Sequence, residues 1–278
     1  MSFESQPSEL ERGPARPLSN LDDGHASPVR AAERPVAIIA CKVLRSIILE
    51  RLEAAGVPTA SSARRLTFLE YGLHRFPQLM APAIQEQIDT LPEPSLVVIG
   101  YGLCGNGVVG VKAREHTLLI PRTDDCIAMF LGSYETYLEE FGSSPGTYYL
   151  TKGWLESGSH PLSEYKEYRE KYGPEDAEWL IDTQYQDYER LCFVAHSAAD
   201  LETYRPQAME VAQFGRERWG WRYEQRLGSD RFIQRLLDHA LAIAPVPADD
   251  DVQRLGVDFQ VVPPGGEIRQ EDLLRGLS

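Results

Sequence analysis

The chain has 278 residues, 42% of them hydrophobic, enough apolar material for a substantial core that needs no disulfide or metal staple. Its 28 Lys and Arg against 42 Asp and Glu give a formal net charge of -14, which argues against a general nucleic-acid surface, because phosphate attraction needs concentrated cations. The apolar runs fall well short of the roughly 20 residues that cross a bilayer, and no basic region followed by an apolar one opens the sequence, so no membrane partner is expected.

Residues 1–33 are rich in Pro, Ser, Glu, Asp and Arg and are expected to form a tail, since so little apolar surface cannot offset the entropy of ordering. An α/β domain is expected over 34–245, with 246–278 as a C-terminal extension. The stretch 36–40 reads as a strand, followed by Cys41 and a helix to about 55 in which Leu44, Ile47, Ile48 and Leu52 recur at helical spacing. A second strand is expected over 66–71, ending in Gly72-Leu-His-Arg-Phe-Pro77, with Pro77 opening a helix where its missing amide hydrogen is not needed. The runs 96–99 and 118–120 are continuously apolar, as in strands of a parallel sheet covered on both faces. They break into Gly100-Tyr-Gly-Leu-Cys-Gly-Asn-Gly107 and Pro121-Arg-Thr-Asp-Asp-Cys-Ile127, and 108–116 between them is too short for an ordinary crossover helix.

After Cys126, the spacing of Ile127, Phe130, Leu131, Tyr134 and Leu138 predicts one helix ending at Gly142. A strand at 147–151 leads into Gly153-Trp154, and the aromatic, charged region that follows reads as helices broken near Gly173-Pro174. The remaining expectations are a strand at 191–195, a helix across 201–214, a strand at 219–227, a helix at 232–242 and a short strand at 259–262. Together these elements predict an α/β fold with a Rossmann-like, mainly parallel sheet and flanking helices.

Ligands of such sheets bind at the carboxyl ends of the strands. Cys41, Cys104 and Cys126 each follow an apolar run, so a parallel arrangement brings all three thiols to one edge. Thiolates are soft donors for zinc or iron, and three of them suit a [4Fe-4S] cluster that keeps one iron open to substrate. Separations of 63 and 22 residues form no recognised ligand motif, so metal-free thiol chemistry and purely structural cysteines stand as alternatives. His74 offers proton transfer or nitrogen ligation, or simply packs at a strand end. Arg122 suits the negative end of a substrate, and Asp125 a base, against an Arg-Asp pair that fixes the loop or an aspartate that caps the next helix. Gly102, Gly105 and Asn106 allow a ligand to approach the backbone, or serve only to turn the chain. Cys192, between Leu191 and Phe193, reads as a buried small side chain, and His196 as a polar strand-end residue. The size of the chain and the apparent lack of an export signal point to reduced thiols and a cytoplasmic location.

Ala40-Cys41, Leu73-His74 followed by Pro77, Tyr101-Gly-Leu-Cys-Gly105, Pro121-Arg122, Asp125-Cys-Ile127 and Leu131-Gly-Ser133, with Thr147-Tyr-Tyr-Leu-Thr151 and Gly153-Trp154, resemble a bacterial and archaeal family, domain of unknown function 1638, over 35–241. The resemblance implies a setting beside methylamine or other corrinoid-dependent methyl-transfer systems, and it adds weight to Cys41, Cys104, Cys126 and His74. The functional expectation is a metal- or iron-sulfur-dependent lyase or transferase acting on a small anionic or polar substrate, in methyl- or sulfur-transfer metabolism. The alternatives are a noncatalytic cofactor carrier or chaperone for a corrinoid methyl-transfer protein, and a zinc-dependent thiol methyltransferase.

Overall fold

The computed structural model describes residues 35–59, 64–242 and 258–274, so the tail expected at 1–33 lies outside the described residues. Strand β1 (Val36–Cys41) passes through a short 3-10 turn into helix α1 (Arg45–Ala54), which buries Ile47, Ile48 and Leu52. Strand β2 (Arg64–Leu69) is followed by helix α2 (Pro77–Asp89), whose Met80, Ile84 and Ile88 form one buried stripe at four-residue spacing. Every residue of β3 (Leu96–Gly100) and β4 (Thr117–Pro121) is buried, which is why their sequences show no polar alternation.

The helix expected after Cys126 is two helices, α3 (Ile127–Leu131) and α4 (Tyr134–Ser143). Gly132, at φ 94°, breaks the run where a Cβ would lie 2.5 Å from the Cβ of Ser229, and the Ser133 hydroxyl restarts it by accepting from the Thr136 amide at 3.0 Å. Strand β5 (Thr147–Thr151) leads into α5 (Lys152–Ser157), α6 (Pro161–Tyr172) and α7 (Pro174–Tyr185), the last two separated at Gly173 as expected. Strand β6 (Arg190–Ala195) and the long helix α8 (Ala198–Trp219) follow. Gly220, at φ 78°, ends α8, so β7 (Arg222–Leu227) begins later than the apolar pattern predicted. Helix α9 (Arg231–Ala242), strand β8 (Phe259–Val262) and the short helix α10 (Gln270–Leu273) complete the described chain.

The first sheet runs β2-β1-β3-β4-β8, parallel except for β8 at its edge, and the second runs β5-β6-β7, parallel throughout. The fold is therefore mixed α/β, Rossmann-like and mainly parallel. The described part of the C-terminal extension belongs to the first sheet, pairing Leu118 with Val262 and Pro121 with Phe259. It also anchors the short connection between β3 and β4, through Gly110 N to Ile268 O and Ile268 N to Val111 O, both 2.9 Å. Cys192 and Val194 of β6 share one apolar cluster with β1, β3 and β4, while Leu191, Phe193 and Trp221 form a second cluster beneath α8.

Candidate functional site

Because β1, β3 and β4 are neighbours in that order and run parallel, the three chain segments that follow them emerge side by side. Cys41 closes β1, Cys104 lies in the loop after β3, and Cys126 lies in the loop after β4. The latter two loops are joined by backbone hydrogen bonds from Leu103 N to Thr123 O (2.8 Å) and from Cys104 N to Asp124 O (2.7 Å). Gly102 permits this approach, since a Cβ there would sit 2.8 Å from the backbone of Asp125. Cys104 itself is left-handed, at φ 47°, an arrangement that costs an L-residue about 1 kcal/mol or more and persists because the paired loops fix it.

The three thiols line one cleft of about 490 Å³ together with His74, Tyr101 and Asp125. Burial raises the Cys41 thiol above its ordinary range. Burial also raises Cys104, with the Asp125 carboxylate and Cys41 adding to it, and raises Cys126, with Asp125, Cys104 and Cys41 adding. Cys41 therefore lies close enough to disfavour ionisation of Cys104, and both disfavour ionisation of Cys126. Asp125 is pushed up to about 6 by burial, against the pull of the Ile127 amide, which donates to its Oδ1 at 2.7 Å and caps α3. His74 is lowered by burial and then by the adjacent Arg75, and its ring meets Trp154 edge-on at 6.3 Å. Thiols held protonated in this way are weak nucleophiles by themselves, whereas a bound cation would favour their thiolates. Among them the Tyr101 hydroxyl is buried without a hydrogen bond of normal geometry, although it stands near enough to Cys41 to ease that thiol's ionisation.

The other end of the cleft carries Arg75, which the sequence reading passed over. Arg75 Nη1 lies 3.4 Å from Glu164 Oε1, and its Nη2 donates to the Tyr168 hydroxyl at 3.0 Å. Tyr185 donates to the second Glu164 oxygen at 2.7 Å. Tyr148, Tyr149, Tyr188 and Trp154 wall this end, and the Tyr149 hydroxyl is also buried without a hydrogen-bond partner. The signal was present in sequence: Arg75 follows His74 in the same loop, and Glu164 and Tyr168, four residues apart, share one face of a helix.

Other expected site residues lie elsewhere. Arg122 does not line the cleft, because β8 pairs along β4 and the Arg122 backbone amide donates to Asp258 O at 2.8 Å, while its Nη2 donates to Leu274 O at 3.2 Å. Gly102 is consumed by the contact between loops, and Gly105 and Asn106 are exposed outside the lining, both with left-handed backbones that turn the chain. Cys192 is buried in the core as expected. Among the described residues no three His, Cys, Asp or Glu side chains close around a single ion position.

A Rossmann-like first sheet with three thiols at adjoining strand ends, facing an arginine held by a second sheet's helices, defines an α/β protein with a thiol-lined cleft. The chain belongs to the family described as protein of unknown function, DUF1638, which matches residues 68–237, more than half of its length. The match takes in His74, Cys104, Asp125 and Cys126 but begins after Cys41, so it is narrower than the 35–241 span of the resemblance. No curated protein and no solved structure matches the chain. Among the described residues no helix is long and apolar enough to cross a membrane.

Proposed function

We propose that the cleft holds a metal centre on Cys41, Cys104 and Cys126 and acts on a small anionic or polar substrate as a lyase or transferase. The observation that carries this reading is the convergence of three thiols, one buried and two half-buried, on one cleft beside the Tyr101 hydroxyl. The donor set fits such a group in its chemistry: burial and its neighbours Asp125, Cys104 and Cys41 disfavour ionisation of Cys126, which a bound cation would offset, and all four cysteines are free, as suits a reducing cytoplasmic compartment. Three thiols of this kind suit a [4Fe-4S] cluster or zinc.

When bound, a metal centre with one position left open supplies Lewis-acid activation of a substrate oxygen. Arg75, rather than Arg122, holds the negative end of the substrate, kept in place by Glu164 and Tyr168. Neutral His74 accepts or returns a proton at the metal end. The Tyr149 hydroxyl, which has no hydrogen-bond partner within the protein, supplies a donor.

Anaerobic purification with iron, sulfide and zinc analysis and visible absorption tests the assignment. Bound iron with sulfide, or bound zinc, is expected, and the absence of all three elements would remove the assignment. Cys104→Ala should lower occupancy by about tenfold or more, whereas Cys192→Ala should leave it intact, and equal retention would reject the ligand set. Turnover of a small substrate by the holoprotein marks an enzyme. Stoichiometric release of the cofactor to a corrinoid methyl-transfer protein would instead mark a carrier.

A further inference from the structure

A second cleft, of about 350 Å³, shares Val43 with the first. The two clefts are kept apart where Gly153 packs on Val43 so closely that a Cβ would lie 3.0 Å from the Val43 Cα. Residues just beyond β1, β5 and β6 line this second space, so it too occupies the carboxyl ends of parallel strands, this time from both sheets.

Its chemistry differs from that of the thiol cleft. Thr151, at 2% exposure, ends β5 and stands at the N-cap of α5, yet its hydroxyl neither caps the helix nor makes any other hydrogen bond. A buried hydroxyl without a partner is rare in a folded chain and is accounted for by a ligand that completes it. His196 places Nε2 3.2 Å from the Phe130 carbonyl, which fixes the proton on that nitrogen and leaves Nδ1 as an acceptor. Burial holds the ring neutral, in support of this tautomer.

Several charged groups of the cleft already have partners. Lys152 pairs with Asp200 at 3.2 Å, Lys42 pairs with Glu70 at 2.9 Å, and Glu156 accepts from the Tyr204 hydroxyl. Arg45 and Glu50 also line the space, and neither has an ion-pair partner among the described residues. Arg45, which lies over the Phe68 ring, and two carboxylates, Glu50 and Glu156, are therefore without an ion pair among the described residues, beside one neutral donor and one neutral acceptor. An inorganic anion would satisfy only half of that set, and would meet the carboxylates of Glu50, Glu156 and Asp200 as repulsive neighbours.

We infer that the second cleft binds a small zwitterion of the α-amino acid class, its carboxylate on Arg45 and the Thr151 hydroxyl, its ammonium on Glu50 and His196 Nδ1. This site is independent of the metal centre proposed for the first cleft. A packed series of rings joins the two: His74 meets Trp154, Trp154 lies 6.3 Å from Phe130, and Phe130 lies 5.3 Å from His196.

Calorimetric titration of the full chain with L-serine, L-glutamine and L-methionine tests the inference. At least one of the three should bind saturably at one equivalent, and its N-acetyl and amide derivatives should each bind about tenfold more weakly. Thr151→Val and His196→Phe should each weaken binding about fivefold or more, with thermal unfolding confirming that both variants fold. Cys104→Ala should bind as the parent does, so loss of the metal centre and loss of this site are read separately. Failure of all three amino acids to bind would overturn the inference. So would binding that survives both Thr151→Val and His196→Phe, binding lost in Cys104→Ala, or preferential binding of inorganic phosphate.

Discussion

The thiol cleft is assembled from two sheets that contribute in different ways. The first sheet supplies the thiols, on loops tied to each other by backbone hydrogen bonds and packed over an aliphatic core of Ile, Val and Leu. The second sheet and its helices supply the aromatic wall and Glu164, which anchors Arg75 of the first sheet's loop, resting on a core in which Trp221 stacks on Tyr148 at 5.5 Å and tilts against Trp219 at 4.9 Å. The thiols and the aromatic wall thus rest largely on different apolar clusters, which meet where Cys192 and Val194 enter the first, and a change in one cluster should be partly separable from a change in the other.

Trp221→Ala is the heaviest test of that separation. The indole is 2% exposed, and its removal should cost about 3–5 kcal/mol in urea unfolding. Folded protein prepared in the cold should nevertheless retain its metal, and coupled loss would show that the two halves are one unit. Gly102→Ala strikes the other half, forcing a Cβ against the Asp125 backbone at a cost of about 1–3 kcal/mol. Iron content should fall further in this variant than in Trp221→Ala, because the loops of Cys104 and Cys126 must part.

His160 allows a gentler probe of the second half, through α6. Its Nδ1 accepts from the Ser163 amide at 3.4 Å, and burial lowers its pKa from 6.5 to about 4. The unfolded chain therefore binds more protons between those values, so this stabilisation is complete above pH 6.5 and is lost as the pH falls toward 4. The loss is on the order of 2 kcal/mol, and His160→Gln should abolish it in unfolding measured across that range. Asp125, raised to about 6, acts with the opposite sign in part of the same window, so the difference between variant and parent isolates the histidine. The smallest effect on stability is expected for Tyr101→Phe. Deleting a buried hydroxyl that has no partner should leave stability within about 1 kcal/mol of the parent or raise it, while shifting the visible absorption of the loaded cleft. An unchanged spectrum would place that hydroxyl away from the metal.

The convergence of the thiols was legible because strand order and polarity follow from buried apolar runs such as 96–100 and 117–121. Their joint position on one edge needed only adjacency of β1, β3 and β4. What escaped the sequence reading depends on contacts distant along the chain. Gly132 sits in an unbroken helical pattern, and only its packing against Ser229 shows why the helix stops. Arg122 lies beside the right cysteine, yet pairing of the far C-terminal strand with β4 turns it toward Leu274. The Arg75–Glu164 pair joins a loop of the first sheet to a helix 89 residues later, a pairing that local periodicity does not encode.

Trp154 stands between the two clefts, edge-on to His74 and tilted against Phe130. A molecule settling in the first space would alter the polarity around this indole directly, and one settling in the second would reach it through Phe130. Its emission, isolated by subtracting the spectrum of Trp154→Phe, would then be a built-in optical gauge of both occupancies, and titrating one space while the other is filled would measure how strongly the two communicate.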